Sequence, residues 1–120
     1  MIGPVVFGVL LFGHALADYP LQGDFLARAK NRANPIPGVP WYHGLGWHAI
    51  IHGGVVFFAL ASISATVAIG CALAETAAHA LIDDAKCTGK FGAPERSFNI
   101  DQGLHVACKF LWATIAVRAL

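Results

Sequence analysis

Four pairs of ionisable side chains recur at a single spacing along this chain: His14 with Asp18, His48 with His52, His79 with Asp83, and Asp101 with His105. Residues four apart project from one face of an α-helix, about one turn from each other. Each pair sits inside an apolar stretch. Ionisable groups are costly in hydrocarbon, so they face a bundle interior and answer to one another, to water or to a metal. The pattern predicts a polar, metal-holding centre inside a small membrane bundle.

The composition limits the alternatives. With 57% hydrophobic and 12% charged residues, the chain has too little charge to cover an ordinary soluble domain. The expectation is one integral membrane domain over residues 1–120, long enough for about four spans of roughly 20 residues. The predicted fold class is all-α: a four-helix transmembrane bundle with a kinked first helix and two polar loops on the cytoplasmic side. A net charge of +1 gives no basic field for nucleic acid, which is set aside. Cys71, Cys87 and Cys108 show no CxxC spacing, so they read as buried, inert thiols.

Taken in order, the first apolar segment runs from Ile2 to about Asp18, with Pro4 in the first turn, where a missing N–H is tolerated. Its apolar run and the Ala15-Leu16-Ala17 triplet resemble a secretory signal with its cleavage site. No Lys or Arg precedes the run, however, and the segment is expected to be retained. Pro20 breaks or kinks the helix, and Leu21 to Arg32 is expected to continue as a second, amphipathic piece. Gln22, four beyond Asp18, would extend the polar stripe. Asn34 to Pro40 carries three prolines and reads as a loop. Trp41, Tyr42 and Trp47 flank it at headgroup level, with His43 as an interfacial side chain.

A second span is expected from about Gly46 to Ala61, with Gly53 and Gly54 allowing a close neighbour. A turn at Ser62 to Thr66 leads to a third span, about Ala65 to Ala85, with Glu75, His79 and Asp83 as one stripe. Lys86 to Arg96 reads as a second polar loop. Ser97 or Asn99 would cap a last span from about Ile100 to Ala119, with Asp101 in its first turn.

The positive-inside rule puts the two loops rich in Lys and Arg, 28–47 and 86–96, on the cytoplasmic face of the membrane. Arg118, at the opposite end, runs against that rule. The pairs fall late in spans one and three and early in spans two and four, so all four share one depth. Glu75 and Lys109 each lie eight residues, about 12 Å, from their site residues on antiparallel helices. They are expected to meet as an ion pair beneath the centre.

The candidate ligands are His14, Asp18, His48, His52, His79, Asp83, Asp101 and His105. Five imidazoles and three carboxylates exceed the ligand set of one zinc ion, so two divalent metals, or one with a hydrogen-bonded outer set, fit better. Zinc, iron and manganese are not distinguished. Bound metal would favour hydrolysis of a phosphate or ester. The substrate would be a lipid head group or lipid-linked compound at the cytoplasmic interface, with Asp18 or Asp101 as general base. Arg28, Lys30, Arg32, Lys86, Lys90 and Arg96 are expected to set topology and touch headgroups, and a substrate phosphate is a sharper role for them. Three other readings stand beside this one: proton or divalent-cation transport, a non-catalytic membrane factor working through the faces at Gly8 and Gly13 or Gly53 and Gly54, and polar pairs serving only as interhelical glue. A homo-oligomer is compatible with the sequence.

The stretches His14-Ala15-Leu16-Ala17-Asp18-Tyr19-Pro20-Leu21-Gln22, His48-Ala49-Ile50-Ile51-His52, His79-Ala80-Leu81-Ile82-Asp83 and Asp101-Gln102-Gly103-Leu104-His105 together resemble a family of small bacterial and phage membrane proteins, domain of unknown function 3307. The resemblance covers nearly the whole chain. It implies an integral membrane protein and the same choice of His14, Asp18, Gln22, His79, Asp83, Asp101 and His105. It carries no established activity. A looser likeness of polarity pattern to membrane-bound metal-dependent hydrolases is analogy.

Overall fold

The computed structural model describes residues 1–120 as five helices and no strands. They are α1 (Ile2–Asp18), α2 (Gly23–Ala29), α3 (Trp41–Leu60), α4 (Ala65–Cys87) and α5 (Pro94–Arg118). The four long helices pack in the cyclic order α1, α3, α4, α5, and the short α2 lies against α3.

Local chemistry accounts for most of the boundaries. The Pro20 kink appears as an 84° bend between α1 and α2. The backbone across it stays tied to the last turn of α1, since Leu21 N–H donates to Leu16 O at 3.0 Å and Gly23 N–H to Tyr19 O at 3.4 Å. Helix α2 restarts only at Gly23, whose φ of +58° is easily reached without a side chain. It ends at Ala29, so it is shorter than the expected Leu21–Arg32. The turn before α4 is capped by Ser64, whose Oγ accepts from Val67 N–H at 3.4 Å.

Three expected boundaries move. Helix α3 begins at Trp41 rather than Gly46, because Pro40 holds an extended backbone (φ −63°, ψ 119°) directly before a first turn that nothing interrupts. His43 is therefore an exposed residue of a helix rather than of a loop. Helix α5 begins at Pro94, the favoured first helical position for proline, rather than at Ile100. Ser97 and Asn99 are thus inside the helix and cap nothing, and Asp101 sits two turns in. The polar loops shrink to residues 30–40 and 88–93, which leaves Lys86 on α4.

Two of the proposed glycine faces are used inside the fold. A side chain at Gly13 would run into Val55, and one at Gly53 into Thr76 and the backbone of Ala72; Gly8 and Gly54 face open space. Helices α3 and α4 are long and apolar enough to cross a membrane, and α1 with α2 makes a third if the bent pair is one span. Helix α5 falls outside that count, because Glu95, Arg96, Asp101, Lys109 and Arg118 lower its apolar character.

The polarity is inverted relative to a soluble bundle. Of 26 buried residues, ten are polar or charged. The outside carries Val5, Val9, Phe12, Phe58, Leu73, Leu81, Phe110 and Leu111. The interior divides lengthwise. Val6, Leu10, Val56, Leu60, Ala68, Cys71, Trp112, Ala113 and Ala116 form an apolar core at the end where α1 begins and α3 ends. The ionisable groups fill the other end.

Candidate metal centre

Each of the four pairs is delivered by one of the long helices, and i, i+4 spacing turns both members inward. His14, His48, His52, His79, Asp83, Asp101 and His105 are all buried, and Asp18 retains 10% exposure of its side chain. The five rings gather. His52 stacks on His79 with centroids 3.6 Å apart, His79 on His105 at 4.1 Å, and His48 meets His79 edge-on at 4.9 Å.

The Nε2 atoms converge on the carboxylates. His48 Nε2 and His52 Nε2 lie 3.3 and 3.2 Å from Asp18 Oδ1, His79 Nε2 lies 3.9 Å from the same oxygen, and His79 and His48 Nε2 are 3.1 Å apart. Ligand atoms about 2.0 Å from a tetrahedral ion are about 3.3 Å from one another. Three edges of the Asp18, His48, His52 and His79 set are thus close to the length a single ion imposes, and a fourth, from His79 to Asp18, is longer at 3.9 Å. His52 Nε2 is buried and makes no well-aligned hydrogen bond, even to Asp18 Oδ1 3.2 Å away, as expected of two ligands that face a common ion rather than each other. The residues fit a metal ion.

A second donor set adjoins the first. His105 Nε2 lies 3.3 Å from Asp83 Oδ1 and 3.4 Å from Asp101 Oδ1. Asp83 joins the two sets, because its Oδ2 lies 3.4 Å from His48 Nε2 and 3.6 Å from His79 Nε2. His14 stands at the edge, 3.5 Å from Asp18 Oδ2 and 3.3 Å from Gln102 Oε1.

Three contributors were not among the candidate ligands. Gln102 Nε2 donates to Asp18 Oδ2 at 2.9 Å and to Asp101 Oδ2 at 3.1 Å, so it ties α5 to α1. Lys30 Nζ donates to Asp83 Oδ2 at 2.6 Å and Lys86 Nζ to Asp101 Oδ2 at 2.8 Å. These two lysines therefore do more than set topology. Their signals differ: Lys86 lies one turn beyond Asp83, whereas Lys30 reaches the centre only because α2 folds back. Gln22, by contrast, is not part of the stripe. The break at Pro20 ends the i, i+4 register, and its Nε2 donates to the backbone O of Asp18 at 3.2 Å.

Beneath the centre, Lys109 Nζ donates to Glu75 Oε1 at 2.5 Å and Trp112 Nε1 to Glu75 Oε2 at 2.6 Å. This is the ion pair anticipated from the register. Glu75 Oε1 also lies 3.4 Å from His79 Nδ1, so the pair touches the floor of the site.

A helical bundle that keeps imidazoles and carboxylates inside and apolar side chains outside belongs to the class of all-α proteins with a buried His/Asp centre. The family model described as Protein of unknown function (DUF3307) matches residues 6–119, and the chain belongs to that family. No curated protein and no solved structure matches it.

Proposed function

We propose that this is an integral protein of the bacterial inner membrane, chromosomal or phage-encoded, and a metal-dependent hydrolase acting on a lipid or lipid-linked phosphate or ester near the cytoplasmic interface. The observation that carries the reading is the Asp18, His48, His52 and His79 set, whose Nε2 and Oδ1 spacings of 3.1–3.9 Å approach those around one ion. Four spans, with α5 the fourth, form one membrane domain. Of the five charges of α5 that lower its hydropathy, the two inside the proposed span, Asp101 and Lys109, are buried, and Glu95, Arg96 and Arg118 lie exposed toward its ends. Loops 30–40 and 88–93 face the cytoplasm.

A bound divalent ion would lower the pKa of an attacking water and polarise a phosphoryl or acyl oxygen. The protein supplies the rest. Asp101 is the general base: Lys86 and Gln102 hold its Oδ2, while its buried Oδ1, 3.4 Å from His105 Nε2, can take the water's proton. Asp18 serves as a ligand. The position of Asp83 between the donor sets favours a second ion held by Asp83 and His105, with Asp101 left uncoordinated as the base.

Transport is the weaker reading, because the apolar core from Leu10 and Val56 to Trp112 fills the far end of the bundle and leaves no polar path through it. A helix-docking factor is weaker too, since Gly13 and Gly53 are occupied by internal packing. The test is hydrolysis of vesicle-presented phosphatidic acid and of a diacylglycerol ester by purified protein. Phosphate or fatty acid should be released, and release should stop with a chelator and in Asp101→Asn. Equal release in Asp101→Asn would remove that residue as base, and no release from either substrate under any metal would remove the hydrolase.

A further inference from the structure

We propose that Lys30 and Lys86 form a two-pronged clamp for a phosphate-type oxyanion, so that the substrate class of this site is a phosphate ester rather than a carboxylic ester. The inference rests on the metal reading above. It begins with charge. Asp18, Asp83 and Asp101 bring three negative charges to the centre, and Lys30 and Lys86 bring two positive ones. Glu75 and Lys109 neutralise each other. With the imidazoles neutral, as metal binding requires, the protein groups hold one surplus negative charge. One divalent ion reverses that sign and a second makes the centre strongly positive. A metal-bound hydroxide would cancel one charge, so with two ions a buried positive excess remains that calls for an anionic ligand, and a neutral ester supplies none.

Geometry selects the lysines as its receivers. Among the charged groups at the centre, Lys86 keeps 35% of its side chain exposed and Lys30 12%, Asp18 10%, and Asp83 and Asp101 3% and 2%. An arriving ligand meets Lys86 first, and each lysine before the carboxylate it is paired with. The lysines approach from different elements, Lys30 from the C-terminal end of α2 and Lys86 from the last turn of α4, and reach the two carboxylates that flank His105. Each now rests on a carboxylate whose other oxygen faces His105: Lys30 on Asp83 Oδ2, which also lies 3.4 Å from His48 Nε2, and Lys86 on Asp101 Oδ2, which Gln102 shares. Metal on Asp83 and a proton on Asp101 would withdraw the charge that holds them, and the ammonium groups are then free to turn to a ligand. A phosphate has enough anionic oxygens for an ion and both lysines at once; a carboxylate ester has no charged oxygen. Nearby Arg32 is already paired with Asp84 on the outside and is not part of the clamp.

The probe is inorganic phosphate, titrated by calorimetry into detergent-purified protein loaded with manganese, with metal content measured on each sample. Phosphate binding should require the metal. It should weaken about tenfold or more in Lys30→Gln and Lys86→Gln, the size of one lost charge-assisted hydrogen bond, recover in Lys86→Arg, and stay unchanged in Arg118→Gln at the opposite end of the bundle. Because Lys30→Gln leaves Asp83 buried without its cation, Lys86→Gln, at a more exposed position, is the decisive variant. A metal-loaded protein that ignores phosphate, or that binds it equally well without the lysines, overturns the clamp and leaves the metal centre standing. Wild-type protein that takes up no metal overturns both. Nanodiscs of phosphatidylcholine with phosphatidic acid, set against plain phosphatidylcholine discs, identify the source. Displacement of phosphate only by the acidic discs assigns the clamp to a lipid phosphate, and no displacement assigns it to a water-soluble one.

Discussion

Asp83 is the side chain that joins the two donor sets: Lys30 and His105 contact its two oxygens, and His48 and His79 lie within 3.6 Å. Its position was legible from the i, i+4 stripe, as were the other seven candidate ligands, because helical spacing in an apolar stretch leaves such groups only an interior to face. Gln102 was harder to see, since it sits one position beyond Asp101 and reaches sideways to Asp18. Lys30 was invisible, since its role depends on an 84° bend that no local pattern specifies. The buried Glu75 to Lys109 pair makes its own prediction. Lys109→Met strands a carboxylate and should cost about 3–5 kcal/mol, whereas Glu75→Leu with Lys109→Met should recover most of that loss. Thermal melts in detergent read both, and equal melting of single and double variants would show that the pair is not coupled.

At the scale of elements, the polar ends of helices concealed their boundaries. Pro94 to Asn99 is polar and mostly exposed, so it reads as loop, although proline at the first helical position is itself a helix start. Trp41 to Leu45 was assigned to the interface for its aromatic rings, and it is the first turn of α3. Packing separates two adjacent glycines that look alike in the sequence. A side chain at Gly53 meets α4 and one at Gly54 meets nothing within 4 Å. Gly53→Leu should therefore lose about 1–3 kcal/mol by overpacking and Gly54→Leu should be near neutral; the reverse order in melts would put the α3 to α4 contact elsewhere. Gly44 plays the same part for α2, because a Cβ there would come 2.6 Å from Ala29 C and 2.7 Å from Lys30 N. Gly44→Val should lift α2 from α3, seen as faster hydrogen exchange of the α2 amides with the exchange of α4 unchanged. Unaltered exchange in α2 would contradict that contact.

The whole molecule is an inside-out bundle, apolar at one end, ionisable at the other and apolar around its exterior. Its all-α class was readable from composition and periodicity. The short α2 returning to the centre was not, because it depends on tertiary contacts between segments distant in sequence. The proposed orientation follows from Lys and Arg lying at one end, and it can be read by labelling a cysteine-free protein with a membrane-impermeant maleimide in spheroplasts. Ser62→Cys should react in intact spheroplasts, while Asn34→Cys and Lys90→Cys should react only after permeabilisation. The opposite pattern would invert the protein and place the centre at the outer leaflet.

The most direct measurement is metal analysis of detergent-purified protein, wild type beside His79→Ala and Asp18→Asn, with helicity checked in each. A site built from Asp18, His48, His52 and His79 predicts at least one ion per wild-type chain, lost in both variants while the helices persist. Trace metal at equal levels in all three proteins would contradict it, and the converged imidazoles would then be no more than polar contacts holding the helices together.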